Sequence, residues 1–287
     1  MLFFDKRLSK HRDLSCNSCH ALDSFGVDHL ATSLGANGKH GRRNSPSVYQ
    51  AAGHFTNFWD GRAATIEEQA KGPILNPAEM AMPDAAAAVA VLKAVPGYEV
   101  AFRKAFPTER DPVTYDNVGI AIGAFERRLV TPARWDRYLE GDRSALTSAE
   151  VRGLKLFTDV GCVTCHTGEF VGGSMFQKVG VVKPWPRDAD LGRAEVTKLG
   201  TDRLVFKVPS LRNVAMTAPY FSDGQTATLE EAVTLMARHQ LGEELAPDDV
   251  ASIVSWLKSL TGELPTDYIK DPVLPADGPT TGQLASR

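Results

Sequence analysis

The chain lacks several features that would have sent its reading elsewhere. No apolar run in its 287 residues approaches the ~18–20 needed to cross a membrane, and the bland stretch Ala85 to Ala90 is far too short. Neither charge sign dominates. With 32 Lys and Arg against 35 Asp and Glu, the net charge of −3 gives no large basic surface for nucleic acid. Cysteine is scarce, with four in all, and apolar residues are not: 43% hydrophobic content excludes a disordered chain. What remains is a folded chain, long enough for two domains of ordinary size.

The four cysteines form two copies of one pattern. Cys16-Asn17-Ser18-Cys19-His20 recurs as Cys162-Val163-Thr164-Cys165-His166, about one domain length later. This is the spacing of covalent c-type haem attachment. Two thiols each bond a vinyl group, and the next residue gives an imidazole to the iron. Three other uses of such pairs fit less well. A Cys₄ zinc site has its pairs much closer together and leaves the trailing His unexplained. A redox dithiol fits one copy but not two that each end in His. Adjacent C-x-x-C pairs also make poor disulfide staples. Two copies that consume every cysteine point to two haems, one in each domain.

Covalent haem attachment places the protein outside the bacterial cytoplasm, in the periplasm. The opening Met1-Leu2-Phe3-Phe4-Asp5 has no charged and apolar leader, so a signal peptide is expected to lie outside this numbering.

The expected fold is mainly α: two cytochrome c-like domains, each with one covalently bound c-type haem, and long loops. Similar lead-ins, Leu2-Phe3-Phe4-Asp5 and Leu156-Phe157-Thr158-Asp159, hint at a duplicated unit. Helical spacing of Val118, Ile122, Phe125 and Leu129 predicts a helix from Asp116 that ends at Pro132 and closes a first domain of residues 1–133. Arg134 to Asp142 reads as a connection into a second domain, 134–266. There Thr147 with Glu150, and Thr228 with Glu231, form capping boxes that open two helices. Asp248 or Asp249 is expected to cap a third, striped by Val250, Ile253, Val254, Leu257 and Leu260. Asp84 to Ala94 is helical, and Gly168 to Val208 reads as loops with a short strand pair. Residues 267–287 read as an extended arm.

With His20 and His166 as proximal ligands, function turns on the opposite face of each haem. A second strong ligand gives electron transfer, and an open face gives catalysis. For the second haem the candidates are Met175, Met216 and Met236, with His239 as a rival one turn beyond Met236. Methionine on a helix is ordinarily core packing, so residue type alone leaves the choice open.

Several longer motifs occur in order: the two haem motifs, Arg43-Asn44-Ser45-Pro46, Phe58-Trp59-Asp60-Gly61-Arg62-Ala63, Gln69-Ala70-Lys71-Gly72-Pro73, Glu79-Met80, Pro209-Ser210-Leu211-Arg212-Asn213-Val214 and Ala218-Pro219-Tyr220-Phe221. Through them residues 1 to 265 resemble the bacterial dihaem cytochrome c peroxidases, of the superfamily shared with MauG. The resemblance implies a low-potential peroxidatic haem on Cys16, Cys19 and His20. It implies a high-potential entry haem on Cys162, Cys165 and His166, with Met236 as sixth ligand. It puts Trp59 between the haems, Glu79 and Gln69 on the distal side of the first, and calcium on Asn44 and the carbonyls of Thr217 and Pro219. Splitting peroxide needs a proton carried from one oxygen to the other, which a carboxylate can do, while an amide can hold the peroxide without changing charge. Calcium accepts such oxygen ligands, with waters completing its shell.

The resemblance further implies hydrogen peroxide as substrate, a monohaem cytochrome c or cupredoxin as electron donor, and a homodimer. Two positions depart from the pattern. Ala36 stands where well-known members carry a His that closes the peroxidatic haem at rest. His40, four residues on, is the candidate substitute. Ser222 stands where a His is expected in Tyr-Phe-His-Asp-Gly. Two other readings stay open. A MauG-like oxidase also lacks the closing His but carries Tyr in place of Met236. A dihaem electron carrier would need strong sixth ligands on both haems, with His40 or Met80 at the first.

Overall fold

The computed structural model describes residues 1–278 and is mainly helical. Its apolar side chains gather into two clusters, one from each half of the chain. The first holds Phe3, Leu8, Leu22, Ile74, Leu92, Val95, Tyr98, Val118, Ile122 and Leu129. The second holds Phe157, Val171, Leu229, Ile253, Val254, Trp256, Leu257 and Leu260.

Helix Tyr115–Glu126 buries Val118 and Ile122 as their spacing predicts. It stops at Glu126, short of Pro132, and the chain turns so that Leu129 still enters the core. Helix Ala85–Lys93 starts where Asp84 accepts from the Ala87 amide at 2.8 Å. Helix Ser148–Val160 has the full capping box expected of Thr147 and Glu150. It crosses Pro247–Lys258 so closely that a Cβ on Gly153 would lie 1.9 Å from the Ser252 carbonyl oxygen. Only glycine permits that approach. Thr228 caps Leu229–Met236, accepting from the Glu231 amide at 3.2 Å.

Two local expectations are corrected. Helix Pro247–Lys258 has Ala246 as N-cap and Pro247 at its first position, so Asp248 and Asp249 lie inside the first turn instead of capping it. The stretch read as a connection contains the helix Arg134–Leu139. Asp136 starts it by accepting from the Ala133 amide at 2.7 Å, and Trp135 locks it edge-on to Trp256 with ring centroids 5.6 Å apart.

The loops between Gly168 and Val208 contain the expected strand pair, Phe176–Lys178 antiparallel to Val205–Lys207, with Gln177 opposite Phe206. The described part of the segment read as an arm begins in a turn at 266–268, and its residues contact the first half. Tyr268 stacks on Phe125 with centroids 5.0 Å apart, and Asp277 pairs with Arg7 at 2.7 Å. Residues 279–287 of the arm lie outside the described residues.

The halves meet through polar contacts. Fully buried Asn213 donates to Thr131 Oγ1 at 2.9 Å, and Arg43 pairs with Asp190 at 2.7 Å.

Candidate active site

The two cysteine motifs adopt closely similar local structures. Ser15 opens the short helix Cys16–Cys19, and the His20 amide closes it on the Cys16 carbonyl at 2.9 Å. Its Nδ1 lies 3.2 Å from the Gly26 carbonyl. In the second half Gly161, at φ 101°, ends the preceding helix and turns the chain into Cys162–Thr164. The His166 amide bonds the Cys162 carbonyl at 3.0 Å, and its Nδ1 lies 3.3 Å from the Val171 carbonyl. In both, a carbonyl takes the Nδ1 proton and leaves the Nε2 lone pair available to a metal. Burial lowers both pKa values, His166 to about 4, so both rings are neutral.

The four thiols are unpaired. Burial pushes Cys19 and Cys162 up to about 11, and Cys16 higher still. Such thiols are poor thiolates, which counts against the redox-dithiol use. Both motifs line one continuous cavity of about 1090 Å³. Its walls are mostly apolar, and thiols and a neutral imidazole face it from each half. That donor set fits two covalently held haems.

Glu79, Gln69 and Met80 line the same cavity as the first motif. Gln69 is carried on helix Ile66–Leu75, which Thr65 caps. Asn76 donates to Glu79 Oε1 at 2.8 Å. Burial raises the Glu79 carboxyl above its ordinary value, against the opposing pull of Arg62 and Asn76. A smaller cavity of about 380 Å³ shares Phe58, Arg62, Pro73, Asn76 and Glu79 with the large one. Glu79 therefore sits in the wall between the two.

The loop around Ala36 packs against this segment. The Ala36 amide donates to the Glu79 carbonyl at 2.7 Å, and a Cβ on Gly35 would meet the Ala78 carbonyl oxygen at 1.9 Å. His40 is exposed, its Nδ1 3.1 Å from the Thr32 carbonyl, and does not line the cavity.

Among the candidates for the second haem, Met236 lines the cavity, while Met175, Met216 and His239 do not. Met236 ends helix Leu229–Met236, where the chain widens into the π-turn Ala237–Leu241. His239 packs edge-on to Trp185, centroids 5.4 Å apart.

The family model for di-haem cytochrome c peroxidase matches residues 1–144. A cytochrome c551 peroxidase of Nitrosomonas europaea is 48% identical over 96% of this chain and 81% of its own length. One from Pseudomonas aeruginosa is 46% identical over 99% of this chain and 83% of its own. The chain belongs to the di-haem cytochrome c peroxidase family. A solved MauG-like protein associated with microbial copper homeostasis superposes with a TM-score of 0.81 at 30% identity, covering 94% of this chain and 89% of its own.

In this peroxidase-family chain Trp59 lines the cavity that both motifs also line, and hydrogen bonds hold its ring and its backbone. Its Nε1 donates to the Asn44 carbonyl at 2.9 Å, and its carbonyl accepts the Lys207 amide at 2.8 Å. Asn44, Thr217 and Pro219 also face the cavity. Among the described residues, no hydrogen bond ends on Asn44 Oδ1 or on the carbonyls of Thr217 and Pro219. Three spare oxygens suit a hard cation such as calcium. Ser222 contributes its carbonyl, which accepts the Asn44 amide at 2.7 Å.

Three cavity residues escaped the sequence reading: His54, Lys207 and Glu126. Glu126 is 3% exposed, with Oε2 unpartnered. Lys207, between Phe206 and Val208 in a strand, left a faint signal in its apolar flanks; His54 left none.

Proposed function

We propose that this enzyme reduces hydrogen peroxide to water with electrons from a small periplasmic donor, a monohaem cytochrome c or a cupredoxin. The observation that carries this reading is Glu79, a part-buried carboxyl of raised pKa in the wall of the cavity that Cys16, Cys19 and His20 also line. One peroxide, two electrons and two protons give two waters, so a group that moves protons is required.

When bound, the two haems supply electron entry at one end and peroxide reduction at the other. Cys162, Cys165, His166 and Met236, in domain 134–266, would hold the entry haem. Cys16, Cys19 and His20, in domain 1–133, would hold the peroxidatic one, and residues from 267 form the arm. Gln69 holds peroxide by hydrogen bonding, while Glu79 takes its proton and returns it to the departing oxygen. Asn76 keeps that carboxyl in place. Trp59, in the wall of the shared cavity, provides the conducting path from one haem to the other. Calcium on Asn44 and the carbonyls of Thr217 and Pro219 would tie the halves together beside it. The enzyme works in the periplasm as a homodimer.

Ala36 leaves the peroxidatic face without its closing ligand, and His40 points to solvent, so the fully oxidised enzyme is active. The test is peroxide-dependent oxidation of a reduced cytochrome c, with enzyme fully oxidised and, separately, pre-reduced by one electron. Activity in both states is expected. Activity only after pre-reduction would require a closing ligand brought in by loop movement. None in either state would sink the peroxidase reading.

The open Ala36 position and the likeness to a MauG-like structure favour a second reading, oxidation of a partner protein. Met236 in the cavity wall, where that group has Tyr, weighs against it.

A further inference from the structure

Among the described residues, the cations of low exposure around the cavity and core mostly meet carboxylates, and Lys207 does not. Arg7, Arg43 and Arg212 each meet a carboxylate within 2.7 Å. Lys207 is 8% exposed and forms no ion pair among the described residues. Its Nζ lies 3.1 Å from His54 Nδ1. The contact joins the halves, since His54 belongs to the first and Lys207 to the second.

The pair has a defined hydrogen-bonding character. An ammonium donates to an unprotonated Nδ1, so the neutral ring carries its proton on Nε2. That Nε2 is buried and has no partner. Lys207 has further N–H donors and no carboxylate to receive them. Burial, and for His54 also the nearby cation, lowers both pKa values, Lys207 to about 8 and His54 to about 3. The imidazole is held between the Phe170 ring, centroid 5.5 Å away, and Gly173, where a Cβ would lie 2.5 Å from the ring. The site thus offers positive charge and N–H donors, with no acceptor, in the wall shared with both haem motifs and Trp59. A buried cation left so is costly unless an anion completes it.

We propose that Lys207 and His54 together receive a carboxylate of one bound haem, and that this cation, one residue-to-residue contact from Trp59, raises that haem's potential. The proposal rests on the dihaem reading. A positive charge beside a haem carboxylate favours the reduced iron, so its loss lowers the midpoint. A small anion from solvent could supply the same acceptor, and the experiment separates the two sources.

The experiment uses the full-length holoprotein. Haem is counted per chain by pyridine haemochrome, and both midpoints are read by spectroelectrochemistry with and without inorganic phosphate. Wild type should hold two haems, with midpoints insensitive to phosphate. Lys207→Met should shift one reduction equilibrium about tenfold, near 59 mV downward, while Lys207→Arg stays close to wild type. If Lys207→Met fails to retain two haems, His54→Ala is read instead, with a shift of the same sign and about threefold in equilibrium. Two haems with unmoved midpoints in the variant read would overturn the proposal. A wild-type midpoint that follows phosphate would also overturn it, assigning the pair to an exchangeable anion. Fewer than two haems in wild type would fail the dihaem reading itself.

Discussion

The amide of Ala36 donates to the carbonyl of Glu79 at 2.7 Å, so the loop at the position of the expected closing His is docked on the segment proposed to handle protons. The side chain at this position is a buried methyl group, 1% exposed. A methyl group has no donor atom, so no iron ligand can come from this side chain.

His40 is the nearest histidine along the loop, and it bonds outward to Thr32. His40→Ala should therefore leave peroxidase turnover of the oxidised enzyme within about twofold of wild type, as surface substitutions ordinarily do. Azide binding to the oxidised protein, followed in the Soret band, checks the same point. Azide should bind wild type and variant alike. Binding gained only on mutation would mean that His40 closes the site.

Glu79 gives a signed pH dependence. The ionised carboxylate accepts the first proton, so activity is full above its pKa and falls as pH drops through it. Burial raises that pKa, which puts the acid limb of kcat/KM for peroxide above the ~4.3 of an ordinary Glu. Glu79→Gln should cost about 10²–10⁴-fold in kcat/KM and flatten that limb. A steep acid limb that survives the substitution would assign the proton transfer elsewhere.

Much of this site could be read along the chain because its chemistry is local. Cys16, Cys19 and His20 lie within five consecutive residues, and their turn geometry follows from that spacing. Thr147 and Glu150 are three apart and cap one helix. His54 and Lys207 are the opposite case, separated by |i−j| = 153 and joined only when the halves pack. Helix Arg134–Leu139 was unreadable for a related reason. Its six residues are too few for periodicity, and Trp135 is held by Trp256 from the far end of the chain.

Glu126 should make stability depend on pH. It is buried, and its pKa rises to about 8, through burial first and Glu67 second, with Arg127 opposing. A carboxyl whose folded pKa exceeds its unfolded one stabilises the fold fully below the unfolded value. That stability is lost as pH rises toward the folded value. Between pH 5 and 8 this group should lower unfolding free energy by up to about 1.4 kcal/mol per unit. Glu126→Gln keeps the shape and removes the titration. Guanidinium midpoints at pH 5 and pH 8 should then differ less in the variant than in wild type. Equal differences would show that Glu126 ionises normally in the fold.

Calcium has a test on stability alone. Asn44, from the first half, and Thr217 and Pro219, from the second, line one cavity. An ion there would bind the folded chain and not the unfolded one, since Asn44 is far in sequence from Thr217 and Pro219. Ligand at about 100 times its Kd adds about 2.7 kcal/mol. Chelation with EGTA should therefore lower the wild-type Tm by several degrees, and added calcium should restore it. Asn44→Ala should begin with a lower Tm that EGTA no longer changes. The Asn44 amide and carbonyl bonds to Ser222 and Trp59 are backbone on the Asn44 side and persist in that variant. Lost EGTA sensitivity would thus report the Asn44 side chain: its Oδ1, or the Nδ2 bond to the Leu30 carbonyl at 2.9 Å. Asn44→Asp separates these, because it keeps an oxygen ligand, adds charge and loses the Nδ2 donor. Retained or strengthened calcium dependence in Asn44→Asp would assign the effect to Oδ1, and equal EGTA sensitivity in wild type and Asn44→Ala would exclude calcium from this site.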